Sequence, residues 1–336
     1  MDGESSSIAT PARSQRDFRP PAYLRNPHLQ TLLGSIGPKR IRAARLAANR
    51  RGESLELRAD DGTVLLGEFD PAPAPRDAVA ILLHGWEGSS RSAYQLTTAQ
   101  RLRGLGFDVL RLNLRDHGDS LHLNRELFNS TRSPEVAGAI ATFLDGRRYG
   151  RVCLGGFSLG GNFALRIAAD RGAALGLDAV VAICPPVDPA AAMAALNRGW
   201  FVYERYFFRR WSRSLRRKLR HFPDLGYGDG LARAKRVDDL NRFFVPRHTP
   251  YPDVPSYFAA YALSGDRLAE LRVSAHLIAA ADDPIIPVAD IARIAYNRHL
   301  HLDIQARGGH CGFVENLRGE SWAERRLAAI FAAALG

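Results

Sequence analysis

From residue 78 onward the chain alternates short, almost wholly apolar runs with segments whose apolar residues recur at three- and four-residue intervals. Few architectures accept that alternation. The apolar runs at 78–83 (AVAILL), 108–113 (DVLRLN), 151–155, 179–184 (AVVAIC), 274–280 (SAHLIAA) and 301–306 (HLDIQA) read as strands. Helical spacing falls between or after them, near 92–104, 134–145, 159–170, 288–297 and 321–335. Strands that are largely apolar must be covered on both faces, and separation by helices allows parallel pairing, so the expected fold is α/β with a mostly parallel central sheet. Ahead of it, 55–59 and 63–69 flank Asp60-Asp61-Gly62, whose Asp-Gly pair predicts a hairpin; an antiparallel pair should open the sheet. The alternation is interrupted once, from Asp188 to about Asp266, by a long helix-rich stretch that reads as a cap inserted after the sixth strand.

This divides the chain into a polar, turn-rich lead at 1–17, expected to be disordered, a first part of the core at 18–187, a helical cap at 188–266 and a second part of the core at 267–336. Within the first part, Phe18 to Gly34 is too apolar to be solvated and should wrap onto the main body, followed by a basic helical segment from Lys39 to Arg51. A length of 336 residues with 46% hydrophobic and 24% charged residues suits one large domain with an insertion, or two small domains. The formal net charge of +11 raises nucleic acid or an anionic membrane as partners. Nearly all of that charge is arginine, however, and no nucleic-acid recognition motif accompanies it, so no nucleic-acid partner is expected. Cys153 and Cys184 sit in apolar runs and Cys311 follows a histidine, with neither a disulfide framework nor metal-ligand spacing, which favours a reducing compartment. The first twenty residues hold no apolar signal core and no run reaches the length of a membrane span, so a cytoplasmic chain is expected.

The chemistry concentrates at Arg151 to Asp170. Gly156-Phe157-Ser158-Leu159-Gly160 is a G-x-S-x-G match set between an apolar run and a helical segment, the context in which a tight turn lifts the serine hydroxyl above a sheet. A serine nucleophile needs a base, an acid and donors for the oxyanion. The favoured base is His310, in Gly308-Gly309-His310-Cys311-Gly312 after the last strand; His84 and His117 more naturally order their own loops. Three carboxylates compete as the acid: Asp283, heading a D-x-x-x-P pattern after the penultimate strand, its neighbour Asp282, and Asp188 after the preceding strand. The backbone N–H groups of Trp86, in His84-Gly85-Trp86-Glu87, and of Leu159 are the candidate oxyanion donors. No metal or organic cofactor is called for.

Taken together and in order, FRPPAYLRNPHLQTLL, HGWEGSS, LNLRDHG, GGFSLGGN, DDPIIP and GGHCGF resemble the YheT-like family of α/β-hydrolases, from about Phe18 to the C-terminus. The resemblance implies a carboxylic-ester hydrolase with Ser158, Asp283 and His310 as its triad, acting on a small-molecule or lipid ester. One loop departs from the pattern: many relatives read N-x-R-G-C-S-G where this chain reads Asn113-Leu114-Arg115-Asp116-His117-Gly118, which bears on substrate preference. A thioesterase or acyltransferase would use the same residues, and a non-catalytic protein holding an anionic membrane is the rival from another class. Within the expected cap, Trp200, Tyr203, Phe207, Trp211, Leu215, Leu219 and Phe222 recur on one helical face, expected to pack over the active-site mouth, while Arg205, Arg209, Arg213, Arg216 and Arg220 fall on the other, expected to be solvated or, in the alternative reading, to meet anionic head groups.

Overall fold

A computed structural model of the protein describes residues 17–49 and 52–335; residues 1–16 of the expected disordered lead lie outside the described residues. Among the described residues one sheet is formed by β1 (Glu53–Arg58), β2 (Val64–Asp70), β3 (Ala78–Leu83), β4 (Asp108–Leu112), β5 (Arg151–Phe157), β6 (Leu177–Ile183), β7 (Ser274–Ala280) and β8 (Leu300–Gln305). Their spatial order is β1-β2-β4-β3-β5-β6-β7-β8. β2 runs antiparallel to both of its neighbours and every other pairing is parallel. The expected hairpin turn is present, with Gly62 at φ +83° and its N–H donating to the Ala59 carbonyl at 2.9 Å.

Helices α1 (Pro27–Leu33), α2 (Pro38–Asn49), α3 (Ala93–Gly104), α4 (Ser133–Leu144) and α5 (Leu159–Arg171) belong to the first part of the chain. Between β6 and β7 stand α6 (Pro189–Arg198), α7 (Phe201–His221), α8 (Gly228–Arg233), α9 (Val237–His248) and α10 (Val254–Ala260), and α11 (Trp322–Ala333) follows β8. The two-residue period of a strand explains how one sheet organises two cores. Along β3, Val79, Ile81 and Leu83 point into a cluster with α4 and α5, whereas Ala78, Ala80 and Leu82 point into a second cluster with α3 and α11. All six are buried, which is why β3 reads as a continuous apolar run instead of an alternating one.

One expected helix is corrected. Residues 288–297 form only a 3₁₀ turn over Val288–Arg293, because the chain beyond it is drawn into bridge pairing with Gly265: Gly265 N–H donates to Arg293 O and Ala295 N–H to Gly265 O, both at 2.8 Å. The basic segment after Gly34 is α2, described as far as Asn49, residues 50 and 51 of the expected segment lying outside the described residues; its first basic residue is buried. Lys39 is fully buried in an ion pair with Glu324 of α11, fastening α2 to the C-terminal helix. On α7 the arginines at 205, 209, 213, 216 and 220 are exposed as expected, whereas Lys218 is buried against Asp116 at 2.7 Å. Trp200 and Phe222 lie at the caps of α7, outside its helical residues, and Trp200 remains 42% exposed.

The loop after β4 is held by a buried ion pair. Arg115 Nη2 lies 2.7 Å and Nε 3.0 Å from Glu135 Oε2 in the first turn of α4, with side-chain exposures of 4% and 3%. Arg115 Nη2 also donates to Thr63 Oγ1 at 2.7 Å. Removing one partner of such a pair strands a desolvated charge, so Glu135→Ala should lower the unfolding free energy by about 3–5 kcal/mol in urea denaturation. A loss below about 1 kcal/mol would mean that Glu126, 3.5 Å from Arg115 Nη1, or water compensates the arginine charge.

Candidate active site

β5 ends at Phe157 and α5 begins at Leu159, leaving Ser158 alone in the turn at φ 52°, ψ −122°. A non-glycine residue in that region is strained, and the surrounding backbone must enforce it. Ser158 N–H is pinned to Ile183 O of β6 at 2.7 Å, and the Ser158 carbonyl accepts from Gly161 and Asn162 at the start of α5. The turn is tight enough to exclude a side chain at Gly160, where a Cβ would stand 2.5 Å from the carbonyl oxygens of Leu83 and His84. Behind the turn, Asn162 Nδ2 donates to Pro186 O and Tyr261 O at 3.0 and 2.8 Å, and buried Arg166 donates to Asn162 Oδ1, Ser133 Oγ and Ser130 O.

The fold brings His310 and Asp283 to this serine. His310 Nε2 lies 2.9 Å from Ser158 Oγ and Nδ1 lies 2.8 Å from Asp283 Oδ2. The other oxygen of Asp283 accepts the backbone N–H groups of Ile285 and Ile286 at 2.8 and 3.0 Å, so the carboxylate is fully engaged and 3% exposed. Burial alone would lower the basicity of the His310 imidazole, but the Asp283 carboxylate and the Cys311 sulfur outweigh it and hold its pKa well above the ordinary histidine value. The N-terminal wrap braces this loop: Thr31 Oγ1 of α1 accepts His310 N–H at 2.9 Å. Gly309, at φ +56°, passes so near α1 that a Cβ there would stand 2.4 Å from Pro27 O.

Facing Ser158 is the loop after β3. A Cβ on Gly85 would stand 3.2 Å from Ser158 Cβ, which measures how closely this loop approaches the serine. Gly85 N–H donates to Tyr94 Oη at 3.0 Å and Glu87 N–H to His117 Nε2 at 3.1 Å. Between them Trp86 N–H meets no acceptor among the described residues, and neither does Leu159 N–H. Two backbone donors, one directly after Ser158 in the chain and one directly after Gly85, are thus unspent, the former at a helix N-terminus that favours negative charge.

The competing residues are occupied elsewhere. His84 is fully buried, bridging Gly85 O through Nδ1 and Leu114 N–H through Nε2; burial and neighbouring His117 push its pKa down to about 3, so it stays neutral. Asp282 Oδ1 accepts Gly309 N–H at 2.9 Å, away from the imidazole. Asp188 caps α6 by accepting from Ala190 and Ala191 at 2.9 and 3.1 Å and pairs with Arg293.

Other contacts around the site carried no sequence signal. Glu87 links the loop after β3 to α7: its carbonyl accepts from Arg210 at 2.5 Å and its carboxylate from Ser214 at 2.7 Å. Trp86 stacks on Phe207 with ring centroids 5.0 Å apart and meets Trp211 edge-on at 5.4 Å. Tyr94 and Thr31 are ordinary residues in ordinary helices until the fold sets them against Gly85 and His310. No helix among the described residues is long and apolar enough to cross a membrane.

Over 325 residues the chain is 23% identical to "Putative esterase YheT" of Escherichia coli (strain K12), covering 94% of this chain and 92% of that protein. It is also 23% identical over 329 residues to "Embryogenesis-associated protein EMB8" of Picea glauca, covering 92% of this chain and 69% of that protein. The solved structure of the esterase Pf2001 of Pyrococcus furiosus superposes with a TM-score of 0.57 at 16% identity, over 85% of this chain and 94% of that one, a likeness of fold. Residues 80–320, from the middle of β3 to beyond the His310 loop, match the model described as "Alpha/beta hydrolase family", and the protein belongs to that family.

Proposed function

We propose that the protein hydrolyses carboxylic esters through an acyl-enzyme intermediate. Ser158 Oγ attacks the ester carbonyl while His310 Nε2 takes its proton and then delivers it to the leaving alcohol. Asp283 fixes the imidazole tautomer with Nδ1–H inward and stabilises the imidazolium, and Trp86 N–H and Leu159 N–H receive the oxyanion. Water, activated by the same imidazole, releases the acid. The observation that carries this reading is the unbroken chain from Asp283 Oδ2 through His310 to Ser158 Oγ, at 2.8 and 2.9 Å. A fluorophosphonate probe should label the native protein and fail to label Ser158→Ala; an unlabelled native protein would reject an activated serine.

For the acyl group we propose an apolar chain of medium or greater length. Leu196, Tyr203 and Ile285 form a buried cluster joined by Met193, Phe207 and Ile286, uniting α6 and α7 with the segment that follows Asp283. In this reading the helices between β6 and β7 act as a cap over the mouth. Across p-nitrophenyl esters of increasing chain length, kcat/KM should rise from acetate to at least octanoate by about tenfold or more, since each buried methylene contributes about 0.8 kcal/mol. A maximum at acetate would reject the apolar acyl site. A thioester or an alcohol acceptor would engage the same groups.

The exposed arginines at 205, 209, 213, 216 and 220 of α7 support a second element, contact between this helix and an anionic membrane surface, each basic residue near such a surface adding about 1 kcal/mol. Co-sedimentation with anionic vesicles at low salt, lost at high salt and with neutral vesicles, is the expected result. Protein that stays in the supernatant with anionic vesicles at low salt would leave a soluble ester as the substrate.

A further inference from the structure

We propose that Cys184, Cys311 and His310 together form a binding site for a thiophilic divalent cation of the zinc type, whose occupancy switches the hydrolase off. No short motif announces such a site, because Cys184 and Cys311 stand 127 residues apart in the chain. The fold unites them at the C-terminal end of β6 and in the loop after β8. Cys184 Sγ, Cys311 Sγ and a ring nitrogen of His310 all lie within 4.8 Å of one another. Cys311 Sγ is 3.9 Å from His310 Nε2, and Cys311 N–H points at Cys184 Sγ at 3.4 Å.

Zinc takes thiolate sulfur at about 2.3 Å and imidazole nitrogen at about 2.0–2.1 Å, which in a tetrahedron sets ligand atoms about 3.5–3.8 Å apart. The separation of 3.9 Å at Nε2 is already close to that, and the other pairs, all within 4.8 Å, have at most about 1 Å to close. His310 is also prepared from behind. Its Nδ1 is held by the Asp283 carboxylate at 2.8 Å, the arrangement by which metal-bound histidines are usually oriented, leaving Nε2, 3.9 Å from Cys311 Sγ, for the metal. Three protein ligands leave a fourth position for water or for Ser158 Oγ, which lies 2.9 Å from Nε2. Two thiolates neutralise the dication in a site where Cys184 is buried and the other two are partly covered. Sulfur donors also select against magnesium and calcium.

The chemistry balances without oxidation. Each thiol releases its proton to solvent, the imidazole supplies a lone pair, and the complex Zn(S–Cys)₂(N–His) carries no net charge. The Nε2 lone pair is then committed to the metal and cannot accept the Ser158 proton. This inhibitory consequence rests on the ester-hydrolase reading above, whereas the binding does not.

The two are separated by measuring binding spectroscopically and activity independently. Cobalt(II) titrated anaerobically into the reduced protein should reach one equivalent per chain with a thiolate-to-cobalt charge-transfer band, and zinc should displace it. Cys184→Ser and Cys311→Ala should each weaken binding by at least about tenfold and diminish the band; thermal melts establish that both variants are folded, and zinc protection of native Cys311 from iodoacetamide supplies a reading that needs no variant. Fluorophosphonate labelling should fall in step with zinc occupancy and return on chelation. A native protein without stoichiometric cobalt binding, or with a complex lacking the sulfur band, would overturn the site. So would unchanged affinity in both folded variants, or loss of both thiols to a disulfide in place of metal capture. Full labelling of a zinc-saturated protein would overturn the inhibition and leave the site.

Discussion

Ser158→Ala is expected to lower kcat for ester hydrolysis by about 10⁴ to 10⁶ while leaving the unfolding transition nearly where it is. The two halves of that expectation come from different atoms. Catalysis needs Oγ, whose contact within the protein is His310 Nε2 at 2.9 Å. The fold needs the backbone of the turn, and that is secured by Ser158 N–H on Ile183 O and by Gly161 and Asn162 on the Ser158 carbonyl, none of which involves the hydroxyl. Alanine keeps the Cβ and hence the same strained conformation at φ 52°, adding no steric demand. Thermal melts and turnover should be measured on one preparation. A folded variant with near-native turnover would remove the acyl-enzyme mechanism, whereas a variant that melts far below the native protein would show that the hydroxyl helps to secure the turn.

What could be read from the chain beforehand depended on how local the determining forces were. β3 was legible to the residue, because a strand buried on both faces must be apolar throughout and its ends coincide with the ends of the apolar run; β7 was read with its full bounds although it opens on exposed Ser274 and carries half-buried His276. Gly156 to Gly160 was legible for a related reason: the close approach of strand, turn and helix leaves room only for hydrogen at Gly160, so the constraint is written into residue type. The 3₁₀ turn at Val288–Arg293 was not legible. Its helical spacing is real, but pairing with Gly265, far away in sequence, wins over local propensity. The ion pair of Lys39 is a second non-local case, since a lysine in a basic stretch gives no hint that Glu324 lies against it inside the molecule. In the candidate site, Ser158, Asp283 and His310 could be named from strand ends and turn residues, whereas Thr31, Tyr94, Ser214 and Arg210 act through contacts made only when distant elements pack.

The choice among the three carboxylates leads to the other large effect. Asp283→Asn should lower kcat by about 10⁴, because an amide can present a donor to Nδ1 and so stabilise the tautomer that carries its proton on Nε2, where it cannot receive the one from Ser158. Ile285 and Ile286 N–H already bind one oxygen of Asp283, which orients the group and leaves Oδ2 for the imidazole. Asp188→Asn should cost far less in kcat. Its carboxylate caps α6 and meets half-exposed Arg293; asparagine caps a helix about as well as aspartate, so the change should appear in stability as the lost surface ion pair, below about 1 kcal/mol. Asp282 is a third kind of case: it accepts Gly309 N–H one residue before His310, so removing it would loosen the loop that carries the base without altering the tautomer. Turnover and melting temperature measured on Asp283→Asn and Asp188→Asn therefore separate charge and tautomer from scaffolding. The reverse ranking in kcat would move the acid to the strand end after β6; equal losses, with only the Asp188 variant melting lower, would show that α6 must be capped for the mouth of the site to keep its shape.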